Sequence, residues 1–187
     1  MIGRTVARSA RLASRSASRL APLLAAAVAL AGCYSTKDPL IESGDGVEIS
    51  GAYTCREYAT GRHQGFTFRA RKDGNFFPDY SYAANRKVYR FRKLDEATYL
   101  AQEGDERNRQ VNFFFIRPQG QDVVVLMPDL AGRPEAIESL LRANRVYLAG
   151  KTGNGTFLLD GTDRDKLRFL SQLAPGLLTE VAVCRPD

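Results

Sequence analysis

Val111-Asn112-Phe113-Phe114-Phe115-Ile116-Arg117, Pro118-Gln119-Gly120-Gln121, Asp122-Val123-Val124-Val125-Leu126-Met127: the reading of this stretch decides the fold. Proline and glycine in its middle reverse the chain between two runs of strand-forming residues. Within each run the apolar residues are unbroken, from Phe113 to Ile116 and from Val123 to Leu126. That is the pattern of strands covered on both faces. Upstream the pattern changes to alternation: Phe66, Phe68 and Ala70 interleave with Thr67, Arg69 and Arg71, and Tyr89 and Phe91 with Arg90 and Arg92. Period two with one apolar parity marks half-buried antiparallel strands. Arg71-Lys72-Asp73-Gly74-Asn75 supplies a hairpin turn into Phe76 and Phe77.

Helical spacing enters only in the last third. Pro134 is suited to a first helical turn and is followed by Ile137, Leu140 and Leu141 on one face. A second helix begins at Thr162, with Asp165 three residues on as a capping partner, and its stripe of Leu167, Leu170 and Leu173 ends at Pro175-Gly176. Thr156 to Asp160 reads as a short strand between the helices and Leu178 to Cys184 as a closing one. The expected fold is α+β but mainly β: a curved antiparallel sheet or partly closed barrel with one or two helices late in the chain.

The amino-terminal segment has a different character. Arg4, Arg8, Arg11, Arg15 and Arg19 precede an apolar run from Leu20 to Leu30, which is too short to span a bilayer. Leu30-Ala31-Gly32-Cys33 closes the run and resembles the lipobox of bacterial lipoproteins. The resemblance implies a signal peptide over 1–32 and a diacylglycerol on the thiol of Cys33, which becomes the first mature residue and is usually acylated on its amine as well. Palmitate-type chains would then hold the protein on the membrane, since two or three acyl chains anchor durably where one does not. Tyr34 stands where the resemblance associates aspartate with inner-membrane retention in Gram-negative bacteria, so the expected address is the outer membrane, facing the periplasm. Residues 33–46 are polar, contain Pro39, Gly44 and Gly46, and show no period. They are expected to form a flexible tether of about 45 Å when stretched, ahead of a single globular domain over 47–187.

Charge and cysteine usage change once residues 1–32 are set aside. The formal charge falls from +6 to +1, with 22 basic and 21 acidic residues left. A near-neutral domain without a recognition motif gives no ground for nucleic-acid binding. With Cys33 occupied, Cys55 and Cys184 remain as an even pair for a disulfide in an oxidising compartment. His63 is the only histidine and no cysteine pair has ligand spacing, so neither a metal nor a cofactor is expected.

The same lone histidine removes nucleophilic triads, and Lys151-Thr152-Gly153-Asn154-Gly155-Thr156 lacks the spacing of a phosphate loop. Asp79 beside Tyr80 and Tyr82 is the one carboxylate cluster with the aromatic company of a sugar site. No enzyme is expected. Charge segregation is the better signal: residues 56–93 carry ten basic and three acidic side chains, and Asp95, Glu96, Glu103, Asp105 and Glu106 follow. Arg69, Arg71, Arg86, Lys87, Arg90, Arg92 and Lys93 form a candidate patch for an anionic lipid, a glycan or an acidic protein. Against this stands a solvated face whose arginines pair with the acidic segment. The leading expectation is a non-catalytic envelope lipoprotein that binds or scaffolds another envelope component through this face. The alternative is a barrel carrying a lipid or other apolar ligand, lined by Phe66, Phe68, Tyr89, Phe113 and Phe115.

Overall fold

The computed structural model describes residues 34–73, 78–105, 108–152, 155–173 and 176–187. The signal segment, Cys33, the turn at Gly74-Asn75 with Phe76 and Phe77, Asn154, Glu106 and Pro175 lie outside them.

Strand β1 (Tyr34–Thr36) opens the described chain. The period-two runs then form a meander: β2 (Gly51–Glu57), β3 (His63–Asp73), β4 (Asp79–Ala84), β5 (Lys87–Lys93), β6 (Tyr99–Asp105), β7 (Asn108–Gln119) and β8 (Asp122–Pro128) each pair antiparallel with the next. After an excursion through α1 (Pro134–Ala143), β9 (Tyr147–Lys151), β10 (Phe157–Asp160) and α2 (Asp163–Gln172), strand β11 (Leu178–Pro186) enters between β8 and β2 and pairs with both. The ring closes there. The result is an eight-stranded antiparallel barrel with the helices inserted between its seventh and eighth strands, which gives the expected mainly-β fold its closed form. Cys55 and Cys184, directly opposite across the closing pair, are disulfide-bonded.

The unbroken apolar runs serve two cores. Phe114, Ile116, Val123 and Val125 point into the barrel with Tyr53, Phe66, Tyr89 and Phe91. Phe113, Phe115, Val124 and Leu126 point outward, under Ile137 and Leu141 of α1, Phe169 and Leu170 of α2, and Leu173 at the C-cap of α2. Alternation along an apolar strand thus feeds both sides. The hairpin between β7 and β8 is tighter than its sequence suggests, because only Gly120 and Gln121 form the turn, with Gly120 at φ 62°. Pro118 lies beyond the last β6 partner of β7, Ile116, where a missing amide donor breaks no ladder on that side. Helix α2 is capped as expected: the Thr162 hydroxyl accepts from the Asp165 amide.

Residues 34–46 overturn the expectation of a tether. Tyr34 pairs with Phe113 of β7 and Phe157 of β10, and all three residues of β1 are buried. The Leu40 and Ile41 amides both donate to Gln102 Oε1 at 2.7 Å while their side chains join the outer core. At Tyr82 and Tyr89 the pairing of β4 with β5 ends, and the chain enters the fork that opens there. Gly44 accepts from the Tyr80 amide, the Asp45 amide donates to the Phe91 carbonyl, and the Lys93 amide donates to the Asp45 carboxylate. Beyond the fork, Val47 and Ile49 belong to the inner core, and the Tyr82 hydroxyl both accepts from the Val47 amide and donates to its carbonyl. This strap, from 37 to 50, carries no period because it is neither helix nor strand. Individual side chains and borrowed donors hold it, and polar composition hides them.

Candidate functional site

Barrel parity sorts the candidate patch. Inner positions of β5 are Tyr89 and Phe91, so Arg90 and Arg92 stand on the outer face. On β3 the inner residues Phe66 and Phe68 leave Thr67, Arg69 and Arg71 outside. Strand β4 lies between, contributing Ser81 and Ala83, so the two arginine rows are two strand spacings, about 10 Å, apart. The helices cover the outer faces of β6, β7 and β8, the strap crosses at Gly44 beside Asp79 and Arg90, and Thr67, Arg69, Arg71 and Arg92 beyond it are exposed.

Not every candidate belongs to that face. Lys87 shares the inner parity, and its ammonium lies 2.7 Å from Glu103 Oε1. Arg86 occupies the tight turn before β5 in a left-handed conformation, φ 64°, at the rim. Lys93, with the parity of Phe91, is exposed at the far end of β5. Arg90 is half-buried and lies 3.4 Å from Asp79. Arg69 and Arg92 are exposed and make no ion pair among the described residues. Glu103 of the acidic segment therefore pairs with the inner cation, and among the described residues no carboxylate pairs with Arg69 or Arg92.

Asp79 does not form a sugar site with its tyrosines. Its carboxylate accepts from the Gly44 amide at 2.8 Å, and that bond, aided by the Arg90 guanidinium, holds its pKa below the ordinary 3.8. Tyr82 is buried and engaged with Val47. Both brace the strap. His63 opens β3 as an exposed residue opposite Arg56.

The barrel interior holds a polar cluster that sequence reasoning missed. Glu103, 8% exposed, receives the Lys87 ammonium, the Tyr89 hydroxyl at 3.0 Å and the Asn112 amide at 3.4 Å. Burial, with the Glu103 carboxylate beside it, pushes the Tyr89 phenol far above its usual range. The available signal was parity, since Glu103 falls two residues after the inner Ala101, opposite Tyr89. Above Glu103, Phe66, Phe68, Tyr53, Tyr89 and Phe114 pack ring against ring and leave a cavity of about 30 Å³. That volume suits one water and falls far short of the roughly 300 to 1,000 Å³ of ligand pockets. Phe113 and Phe115, expected to line a cavity, face the outer core instead.

No protein-family model, curated protein or solved structure matches this chain. Among the described residues no group of three or more His, Cys, Asp or Glu has a metal-holding arrangement, and no helix is long and apolar enough to cross a membrane.

Proposed function

We propose that the protein is a membrane-anchored envelope lipoprotein that catalyses no reaction and binds or scaffolds another envelope component through the arginine-bearing outer face of β3 and β5. The observation that carries this reading is the division of the barrel exterior. One half is sealed by helices, while the other presents exposed arginines, of which Arg69 and Arg92 have no ion-pair partner among the described residues. Multiple guanidinium groups on a rigid sheet suit an anionic partner, with attraction that salt screens. The lipobox resemblance at Leu30-Ala31-Gly32-Cys33 supports the address, and the Cys55–Cys184 disulfide is in keeping with an oxidising compartment.

The test is affinity capture of the lipidated protein from membranes, wild type beside an Arg69→Glu/Arg92→Glu variant. A partner retained by the wild type, released by salt and lost from the variant supports the proposal. Equal retention by both proteins would sink it.

A closed barrel is also an architecture compatible with carriage of an apolar ligand. On that reading the ligand would enter the ring-lined interior, which has Glu103 in its lining. It requires Phe66 and Phe68 to swing aside, and an apolar molecule extracted from the purified protein would favour it.

A further inference from the structure

We infer that the anchored protein lies directly against its own bilayer and turns the β3 arginines away from it, so that their partner is an anionic glycan rather than the headgroups beneath. This inference rests on the lipoprotein reading. Cys33 is one peptide unit, about 3.8 Å between Cα atoms, from Tyr34. Tyr34 is itself 1% exposed, fixed between β7 and β10, with its ring against Phe169 of α2 at 5.4 Å. An acyl group on Cys33 would therefore be attached within one residue of a packed sheet. No leash separates them.

The position of that attachment on the ring sets the orientation. Strand β7, which holds β1, is four strands from β3 in a closed ring of eight, passing β6, β5 and β4. Arg69 and Arg71 consequently stand half-way round the barrel from the anchor, and Arg90 and Arg92 a quarter of the way. The bilayer would meet the β1 side, near Lys151, which shares a hydrogen-bonded row with Phe157 and Tyr34.

The same face argues for the chemistry of the occupant. Protein interfaces are centred on buried aromatic or aliphatic anchors. The exposed large apolar residues of the described chain are Tyr58, Tyr147 and Leu148, and none lies on the outer face of β3 to β5. Thr67, Ser81 and Ala83 stand between the arginines there, with the half-buried Val88 as the largest apolar side chain, giving a face of charge and mostly small side chains. Such a surface suits a repeating polyanion.

The experiment uses the mature lipidated protein in phosphatidylcholine vesicles, carrying a fluorophore at Lys151→Cys or Thr67→Cys, with lipid-headgroup or water-soluble quenchers. The expected result is headgroup quenching at 151 and its absence at 67, where only the soluble quencher acts. Hyaluronate in solution should shield the label at 67, and should fail to do so when Arg69→Glu and Arg92→Glu are added. A twelve-residue Gly/Ser spacer between Cys33 and Tyr34 should erase the difference between the two labels. Headgroup quenching at 67, equal quenching at both sites, a difference that survives the spacer, or movement of the label at 67 onto the bilayer when phosphatidylglycerol is included would each overturn the inference. Indifference of the label at 67 to hyaluronate would remove the glycan. Mass spectrometry showing Cys33 without acyl chains would instead remove the lipoprotein reading from which the inference starts.

Discussion

A methyl group on Gly44 would sit 2.1 Å from the Tyr80 carbonyl oxygen, which is backbone and has nowhere to go. Gly44→Ala should therefore prise the strap from the fork between β4 and β5. The expected loss is about 1 to 3 kcal/mol, the usual range for overpacking, read as a lower urea midpoint. Asp79 gives the same contact a pH dependence. Its folded pKa is depressed, chiefly by the Gly44 amide, so its stabilisation is complete above the ordinary value of 3.8 and is lost as pH falls from there through the lowered value. Asp79→Asn should lower the urea midpoint at neutral pH and flatten its decline under acid. A variant that keeps the wild-type acid profile would show that Asp79 contributes nothing to it.

At the level of elements, the pair formed by β2 and β11 is both the seam of the ring and the site of its covalent closure. The bridge spans 129 residues, for which chain entropy predicts about 4 to 5 kcal/mol. Cys55→Ala/Cys184→Ala should lower the thermal midpoint sharply, and reductant should have the same effect on the wild type and none on the variant. The elements differ in how openly the sequence displays them. Phe113 to Ile116 and Val123 to Leu126 announce strands with two covered faces because burial on both sides leaves no polar alternation. The two helices announce themselves through Pro134 and Thr162. Strand β1 is three residues long and β9 is exposed throughout, so neither has a pattern to read. Closure of the ring shows in no periodicity, because pairing β11 with β2 depends on a neighbour more than a hundred residues away, and its one trace in the sequence is the even pair Cys55 and Cys184. At the candidate face, parity along β3 and β5 puts Arg69, Arg71, Arg90 and Arg92 on the outer side, opposite the inner Phe66, Phe68, Tyr89 and Phe91. The same parity, carried back from Tyr89, turns Lys87 inward, away from the patch, while its partner Glu103 lies on the adjacent strand and only register brings the two together.

Across the whole molecule, a single meander carries seven of the eight barrel strands, and about fifty residues of helix and side sheet intervene before the eighth. Such long-range closure makes for slow folding, since loop entropy must be overcome before the final pairing forms. Until β11 is in place, β8 lacks a partner on one side and β2 on the other. Removing residues 178–187 should produce aggregates that sediment and bind amyloid dyes where the intact protein does not, because both open edges are templates for another chain. A soluble, monomeric truncation would show that the seven-strand sheet protects itself. The order of synthesis gives this arrangement a further meaning. The strand that seals the ring is made after the other seven, so a growing chain that has not reached β11 is an open curved sheet with two adhesive borders. Quality control is thus written into the topology, for a chain cut before β11 can complete neither the ring nor the bridge between Cys55 and Cys184.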